Sequence, residues 1–469
     1  MKKFLFLFST LAVLFSCAGS DDDEPNNNGP NFPENPGAPT APRGPFNRTV
    51  LFYISGENSL STYIANELKE IRKGSKGIGN NAVVVYVDDS NARRKPYILW
   101  LKEGITIDSL ALEVDPLSSS QKAMSSILNY TSTYYPADEY GIVLWGHASG
   151  WLLEDSVETS ATANSPQRAY RAVPFSPQKA YGIDNGKNSY SDNGQWMNIS
   201  TLAQTLWNWK HLKFIFADCC QFQCVETAYE LRNVADYIIG SPAEIPGEGA
   251  PYETVVKGLF DPSETFYRTI VDSYFEQVIK TTYYSYDGWN NFNYNSRTPL
   301  SVIKTAELRN LADATNTVLH TFITEDSETP DLSRQSLIYY CGSNSSNAFS
   351  VMYDMNDLIR KNTVGSDNTD SGQAAYETWK EVFDRTVIYR KNASEGWMTK
   401  RQIQPYVFRS GILTDERYGG MSMFVPQTQN RSGTRYLPYT LNGVQHNGYN
   451  ADIRTTAWYA AARLAEFGW

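Results

Sequence analysis

The stretch IFADCCQFQCVETAYEL, residues 215–231, has the pattern of a buried strand that runs through a short turn into a helix. In and after the turn lie three of the chain's five cysteines, Cys219, Cys220 and Cys224. Thiols this close together could hold a metal ion, form a disulfide, or flank a single reactive sulfur. The rest of the chain bears on which of these three uses of the thiols applies.

Strands and helices alternate along the first half of the chain. Apolar runs typical of buried strands begin near residues 48, 82, 96, 140, 212 and 235, and amphipathic helical patterns separate most of them. Ser59 or Ser61 is the expected cap of the first helix. Further patterns predict helices at 196–209, 263–281, 305–321 and 372–389, and a strand at 419–427. The sequence therefore predicts an α/β fold with a mainly parallel sheet, helices on both faces, and a C-terminal α+β extension.

Two strand ends carry chemically capable side chains. Parallel sheets bind ligands beyond the carboxyl ends of their strands, and here VLWGHASG ends with His147 while FIFADCC ends with Cys219 and Cys220. Of the four histidines, only His147 follows a buried strand in a glycine-bearing turn. A cysteine peptidase needs a thiolate, an imidazole and free backbone N–H groups, which these two turns can supply. A structural histidine is the alternative for His147.

The cysteine pattern disfavours the two structural uses of the thiols. A closed zinc site has no obvious fourth ligand, because neither a second CxxC pair nor a nearby histidine accompanies them, so no metal is assigned. A disulfide scaffold would show more cysteines, spread more evenly. Neighbours in an extended strand point to opposite faces, so only one of Cys219 and Cys220 can face a cleft. The sequence chemistry alone does not choose between them.

Charge and the N-terminus bear on partners and location. A net charge of −10 and the lack of any Lys/Arg cluster argue against a nucleic-acid partner. Residues 1–16 have the pattern of a lipoprotein signal peptide, with Cys17 as the lipidated residue; an ordinary secretory signal is the alternative. Residues 17–46 are acidic and then rich in Asn and Pro, as in a flexible stalk. We expect an outer-membrane lipoprotein exposed at the cell surface, with a periplasm-facing position as the alternative.

VLWGHASGW and FADCCQFQCVETAYEL together resemble the two main blocks of the clostripain family of cysteine peptidases, relatives of caspases, gingipains and legumains. The match of VETAYEL places Asp218 on the family's aspartate, Cys219 on its alanine and Cys220 on its nucleophile. FYISGENSL, GSPAEIPGEGAPYE and GGMSMFVP resemble further blocks, in the family's order. The resemblance implies a caspase-like catalytic domain at 47–300 and a C-terminal region at 301–469 that completes or flanks it.

The resemblance also implies roles for single residues. His147 would be general base and acid, Cys220 the nucleophile, and the backbone N–H groups of Ala148 and Cys220 the oxyanion hole. Asp218 would line the S1 pocket and receive a P1 Arg or Lys, with Glu248 as a second acid there. A helix-capping carboxylate is the alternative for Asp218. Calcium is a possible cofactor by the same resemblance, and no other cofactor is expected.

Three residues depart from the family pattern. Ala148 stands in place of a glycine, Gly146 in place of an acidic or amide residue, and Cys219 in place of an alanine. Ala148 could strain its turn or close the oxyanion site, and Cys219 adds a thiol that could form a disulfide under oxidation. Each change would favour a slow, redox-regulated or inactive enzyme.

Residues 152–195 form a long polar segment with little periodicity, a candidate processing segment. Its candidate cleavage sites are Arg168, Arg171, Lys179 and Lys187. An uncut surface loop is the alternative.

The leading functional hypothesis is an endopeptidase that cleaves proteins or peptides after Arg or Lys through a thioester. The alternative is a lipoprotein on a peptidase scaffold that binds peptides or host proteins without cleaving them. A glycan-binding lipoprotein, suggested by the 31 Tyr and 11 Trp residues, ranks below both because aromatic residues also fill cores.

Overall fold

The computed structural model describes residues 37–152, 181–192, 194–276, 298–323, 337–342, 350–364, 370–392, 413–427, 436–441 and 444–469. The strands, in chain order, are β1 (Phe46–Gly56), β2 (Ala82–Asp89), β3 (Tyr97–Lys102), β4 (Ile105–Ala111), β5 (Ala137–Gly146), β6 (Tyr181–Asp184), β7 (Gln195–Met197), β8 (Leu212–Asp218), β9 (Ala235–Gly240), β10 (Leu300–Lys304), β11 (Tyr339–Gly342), β12 (Ser350–Asp354), β13 (Val387–Lys391), β14 (Ser422–Met423), β15 (Tyr439–Leu441) and β16 (Val444–His446).

The helices, in chain order, are α1 (Ile64–Gly74), α2 (Gln121–Tyr134), α3 (Ile199–Trp207), α4 (Val225–Glu230), α5 (Tyr252–Leu259), α6 (Phe266–Glu276), α7 (Leu308–Leu319), α8 (Met355–Val364), α9 (Asp370–Thr386), α10 (Tyr449–Asp452) and α11 (Ala457–Ala461). Short 3-10 helices span Ser59–Thr62, Thr305–Glu307, Ile453–Thr455 and Leu464–Phe467. Among the described helices, none is long and apolar enough to cross a membrane.

The central sheet is parallel in its middle and antiparallel at both edges. Within the described residues its strand order is β13-β10-β9-β8-β5-β1-β2-β3-β4. The strands from β9 to β2 run parallel to one another. The pairs at either edge are antiparallel. The predicted α/β fold with a mainly parallel sheet is therefore confirmed.

Burial on both faces of the sheet explains why strand β1 is a continuous apolar run. Leu51, Phe52 and Tyr53 point alternately to the two faces of the sheet, yet all three are fully buried. Phe52 packs edge-on against Tyr252 of α5, with ring centroids 5.2 Å apart. Tyr53 donates a hydrogen bond to the Ser118 carbonyl, just before α2. Helical segments thus cover both faces, as predicted.

The C-terminal region completes the central sheet. Strands β10 and β13 extend its edge beside β9. Helices α7, α8 and α9 pack on one another near this edge. Strands β11, β12 and β14 form a smaller antiparallel sheet. These elements are the predicted α+β extension.

Two predicted helix boundaries are wrong because strand pairing overrides the local helical pattern. The helix predicted at 196–209 begins only at Ile199, since β7 pairs with β6 in an antiparallel sheet. The same pairing replaces part of the predicted polar loop at 152–195. The helix predicted at 372–389 ends at Thr386, where β13 begins and joins the central sheet.

The predicted cap of the first helix is also wrong. The Asn58 side chain accepts a hydrogen bond from the Leu60 N–H and begins the 3-10 helix Ser59–Thr62, which precedes α1. Ser59 is thereby free to contact another part of the fold.

Several predictions fall on residues outside the described ranges. They are the signal peptide at 1–16, the lipidation site Cys17, most of the stalk at 17–46, and three candidate processing sites, Arg168, Arg171 and Lys179.

Candidate active site

Strands β5 and β8 are parallel neighbours, and they set His147 and Cys220 side by side. Trp145 of β5 lies opposite Asp218 of β8 in the sheet register. His147 and Cys220 each follow two residues later, beyond the carboxyl ends of their strands. Both line one cavity of about 530 Å³. This is the edge at which parallel sheets bind ligands, and the volume suits a small-molecule or peptide side-chain pocket.

Cys219 and Cys220 have different surroundings. Cys220 is half-buried on the cavity wall, whereas Cys219 is fully buried in the core. The Ile245 N–H donates to Cys220 Sγ over 3.4 Å. Burial and the charge of Glu244 raise the pKa of the Cys220 thiol to about 12, although the Ile245 hydrogen bond opposes them. The resting thiol is therefore neutral at pH 7 and needs a base to become nucleophilic.

His147 is held through its Nε2 atom. Nε2 lies 3.0 Å from Ser59 Oγ and 3.3 Å from Asp192 Oδ1. The Ser59 N–H donates to the same Asp192 oxygen over 3.0 Å, which fixes the carboxylate. Burial alone would raise the pKa of Asp192, but hydrogen bonds and the charge of His147 lower it to about 2. Asp192 is therefore an anion over the whole range in which a peptidase would work.

The other imidazole nitrogen is left for the thiol or a substrate. Within the described part of the chain, Nδ1 of His147 makes no hydrogen bond, and none joins His147 to Cys220. The resting site thus contains a neutral thiol and an oriented imidazole that share a cavity with no hydrogen bond between them. Catalytic hydrogen bonds often form only when substrate binds.

The backbone of the turn after β5 accounts for two departures from the family pattern. Gly146 has a φ of 148°, and a Cβ atom there would lie 2.8 Å from the Ser55 carbonyl oxygen. A larger side chain would be strained at this position. Ala148 is not among the described non-glycine residues with positive φ, so the expected strain there is not found. Ala148 lines the cavity and pairs with Tyr181 in an isolated antiparallel bridge.

Asp218 is among the residues that line the cavity, and it is 2% exposed. Its Oδ2 accepts hydrogen bonds from the Ala250 N–H at 2.9 Å and the Tyr252 hydroxyl at 2.5 Å. The Tyr274 hydroxyl donates to Oδ1 over 2.8 Å. Burial raises the pKa of Asp218 despite these three donors. The helix-cap alternative is wrong, because α4 begins only at Val225, with Cys224 at its N-cap.

A second buried carboxyl group, Glu67 of α1, lies behind the same wall. Glu67 is 0% exposed, and neither of its oxygens has a hydrogen-bond partner among the described residues. A Cβ atom on Gly249, which lines the cavity, would lie 2.8 Å from Asp218 Oδ2 and 3.3 Å from Glu67 Oε2. Both carboxyl groups therefore lie against Gly249. Burial and the charge of Asp218 raise the pKa of Glu67 to about 10.

Glu248, the other acid expected in the S1 pocket, is not on the cavity wall. Its two neighbours in the chain, Gly247 and Gly249, do line the cavity. Glu248 is half-buried, and its charge adds to the effect of burial in raising the pKa of Tyr63 and of Glu67. Glu248 therefore influences the pocket residues through its charge.

The described cysteines form no structural cross-link. Cys219, Cys220 and Cys224 are free thiols, and Cys224 Sγ lies 3.0 Å from Thr227 Oγ1. Within the described ranges, none of the three belongs to a group of three metal-ligating side chains. These contacts give no support to the zinc or disulfide alternatives.

Three residues at the site, Ser59, Asp192 and Glu67, were not predicted from the sequence. The local pattern around Ser59 is that of a helix cap, and Asp192 lies in a polar segment without periodicity. For Glu67 the sequence does contain a signal. It follows Ile64 by three positions and precedes Ile71 by four, so a carboxylate stands on the apolar face of α1.

Known families and structures resemble this chain over most of its length. The clostripain family model matches residues 52–462. A secreted C11 cysteine protease from Bacteroides thetaiotaomicron, solved with an irreversible peptide inhibitor, is 28% identical with a TM-score of 0.64, over 90% of this chain and 99% of that one. An inactive zymogen C11 protease from Parabacteroides distasonis is 26% identical with a TM-score of 0.60, over the same shares of the two chains.

Comparison with curated proteins gives no significant match. The family match nevertheless spans the central sheet, both strand ends that line the cavity, and most of the C-terminal region. The chain therefore belongs to the clostripain family and is a clostripain-like cysteine peptidase.

Proposed function

We propose that this peptidase cleaves proteins or peptides after Arg or Lys, with Cys220 as nucleophile and His147 as general base and acid. One observation carries the proposal. A single cavity holds a half-buried thiol and an oriented imidazole, and two buried carboxyl groups lie against one of its glycines. A thiol and an imidazole suit acyl transfer, and buried carboxyl groups suit a cationic side chain.

The proposed mechanism follows from the neutral thiol of Cys220 and the oriented imidazole of His147. His147 removes the proton from Cys220, and the sulfur attacks the carbonyl carbon of the scissile bond. The backbone N–H groups of Ala148 and Cys220 stabilise the oxyanion. His147 then gives its proton to the leaving amine, and the C–N bond breaks to leave a thioester. Water, deprotonated by His147, attacks the thioester and releases the acid and the thiol.

The S1 pocket is proposed to discriminate by charge. Asp218 has three hydrogen-bond donors from the protein, and one of its oxygens, Oδ1, accepts only one of them. A carboxylate oxygen can accept more than one hydrogen bond, so Oδ1 can also receive a P1 guanidinium or ammonium. Glu67 lacks any described donor and would lose its proton when a cation enters. An acidic or apolar P1 side chain would leave these carboxyl groups uncompensated.

Asp192 gives a prediction about how His147 is oriented. We expect Asp192→Asn to lower kcat about tenfold with KM nearly unchanged, because Nε2 loses its anionic partner while Ser59 still holds it. Steady-state kinetics with a basic peptide measures both constants. Asp138→Asn, an exposed change at the opposite end of β5, is the matched control and should behave as wild type. A change in KM alone would show that Asp192 contacts substrate instead.

The non-catalytic alternative loses its main support. A peptide-binding lipoprotein on a peptidase scaffold was favoured by the replacement of glycine by Ala148. Since Ala148 has no positive φ in the described structure, the turn can form without strain. The glycan-binding alternative gains nothing, because large aromatic side chains such as Trp145, Trp151 and Trp379 fill the core.

Processing within 152–195 is proposed to occur at Arg168, Arg171 or Lys179 in preference to Lys187. The Lys187 N–H donates to a Glu57 carboxylate oxygen over 2.6 Å, and the following Asn188 N–H donates to the same atom over 2.7 Å. A protease needs an extended backbone, and these two hydrogen bonds would have to break first.

The cellular location is also proposed on the sequence alone. The pattern before Cys17 and the acidic residues behind it support an outer-membrane lipoprotein exposed at the cell surface. We expect Cys17→Ser to abolish metabolic labelling with a clickable palmitate. A chain that remains labelled would contradict lipidation at this residue.

Paired fluorogenic peptides test the proposed activity. Wild-type protein and Cys220→Ala, each reduced and lacking the signal, are assayed with peptides that carry Arg, Lys, Asp or Leu at P1. Cleavage of the Arg and Lys peptides alone is expected. Cleavage of the Asp or Leu peptide at a similar rate would contradict the assigned S1 pocket.

A further inference from the structure

We propose that Gln223 is a positioning residue, which ties the turn after Cys220 to the C-terminal region and so holds the nucleophile in its reactive geometry. Gln223 lies three residues after Cys220, in the turn between β8 and α4. It is 0% exposed and is not among the described residues that line the cavity. Its side chain therefore acts through the backbone of the turn and not through contact with substrate.

The turn after Cys220 contains backbone strain. Gln221 has a φ of 56°, in the left-handed region that a residue with a Cβ atom adopts only at a cost in free energy. Of the four described non-glycine residues with positive φ, Gln221 alone lines the cavity. Such a conformation persists only where the surrounding contacts hold it. The contacts of this turn therefore decide where the Cys220 side chain and N–H point.

Two other segments hold the turn through its backbone. The Gln221 N–H donates to the Ala243 carbonyl over 2.9 Å, and the Gln223 N–H donates to the Ser241 carbonyl over 3.1 Å. Both carbonyl groups belong to the segment that follows β9. From the C-terminal region, the Ser422 N–H of β14 donates to the Gln223 carbonyl over 3.0 Å. The turn is thus fixed between the end of β9 and β14.

The Gln223 side chain adds a buried link to β10. Its Nε2 donates to the Ser301 carbonyl over 2.8 Å, to Ser301 Oγ over 3.1 Å and to the Ile238 carbonyl over 3.2 Å. Ser301 Oγ in turn donates to the Gly420 carbonyl over 2.5 Å. Hydrogen bonds in such a chain strengthen one another in buried surroundings. The Gln223 amide thus connects the turn to β9, to β10 and to the segment before β14.

The geometry of this turn bears on the transition state more than on substrate binding. In the proposed mechanism Cys220 supplies the sulfur and one of the N–H groups that stabilise the oxyanion, and such a donor must point to where the charge develops. The S1 carboxyl group of Asp218 is held separately, by the hydroxyls of Tyr252 and Tyr274. Loss of the Gln223 contacts should therefore lower kcat and leave KM nearly unchanged. This consequence rests on the proposed function, whereas the hold on the turn does not.

Gln223→Met is the deciding variant, because Met is similar in length and flexibility but has no N–H donor. We expect kcat of the mature chain on a basic peptide to fall at least tenfold, with KM within about twofold of wild type. Ser301→Ala, which breaks the link to Gly420, provides a second variant if Gln223→Met does not fold. It should lower kcat in the same way but to a smaller extent.

Thr305→Val is the matched control. Thr305 Oγ1 donates to the Ala235 carbonyl over 2.6 Å, at the end of β9 and β10 that lies away from the cavity. This variant should lower Tm about as much as Gln223→Met does, yet keep the kcat of wild type. Equal losses of kcat in the two variants would overturn the proposal, since Gln223 would then contribute stability alone.

Hydrogen exchange followed by mass spectrometry tests the hold on the turn without any cleavage assay. The peptide that spans residues 219–224 contains the hydrogen-bonded N–H groups of Gln221 and Gln223. Exchange in this peptide should be faster in Gln223→Met and unchanged in Thr305→Val. If wild type cleaved no basic peptide, the proposed function would fail, yet this difference in exchange would still support the hold. Exchange as slow as in wild type in folded Gln223→Met would overturn the proposal.

Discussion

Replacing Cys220 with alanine is expected to lower kcat on basic peptides by about 10⁴-fold or more, because no other described thiol lines the cavity. The half-buried Cys220 side chain makes weak contacts with Ile245, so its loss should leave the fold intact. Peptide hydrolysis and a thermal melt measure the two effects separately.

Cys219→Ala is the matched control for that prediction. Cys219 is fully buried and faces the core, so this variant should keep activity within about threefold while its stability falls modestly. If Cys219→Ala lost activity and Cys220→Ala kept it, the register of the whole FADCCQFQCVETAYEL block would be wrong.

Asp218→Asn is expected to lower kcat/KM on Arg and Lys peptides on the order of 100-fold. The substitution keeps the size of the side chain but removes the buried negative charge that would pair with the P1 cation. Tyr252 and Tyr274 can still hydrogen-bond to the amide oxygen or nitrogen, so the fold should survive. Kinetics with the four P1 peptides, together with a melt, measure the effect.

Glu67→Gln tests whether the P1 cation is bound by Asp218 alone or by Asp218 and Glu67 together. If Glu67 loses its proton when a cation binds, this variant should weaken binding of basic peptides less than Asp218→Asn does, and should abolish the accompanying proton release. Iodoacetamide should still alkylate Cys220 in both variants, since the probe carries no P1 cation. Unchanged kinetics in Asp218→Asn would contradict the assignment of the S1 pocket.

The strand ends could be predicted from sequence, but their supporting contacts could not. His147 and Cys220 follow continuous apolar runs, and parallel pairing brings such strand ends to one edge. Ser59 and Asp192 reach His147 only because a polar segment folds back past the end of β1. No local pattern encodes that contact.

Predictions from local helix preference were also wrong where another segment supplied hydrogen bonds to form a strand pair. Gln195–Met197 has a sequence compatible with a helix start, yet it pairs with Tyr181–Asp184. Residues from Val387 onward continue a helical pattern, yet they add an edge strand to the central sheet. Ladder hydrogen bonds outweigh the modest differences in helix propensity in both places.

The departures in the histidine turn could be judged only from backbone angles. Gly146 looked like the loss of a functional side chain, but its φ of 148° and its approach to Ser55 require glycine. Ala148 looked like a source of strain, but its φ is not positive. Sequence alone assigns neither angle.

The most direct test of the account is to map the adduct of a Lys or Arg acyloxymethyl ketone by peptide mass spectrometry. The reduced wild-type protein is expected to carry one adduct, on Cys220, and Asp218→Asn should react far more slowly. An adduct on Cys219 or Cys224, or equal labelling by a probe with Asp at P1, would contradict a peptidase site built from His147, Cys220 and Asp218.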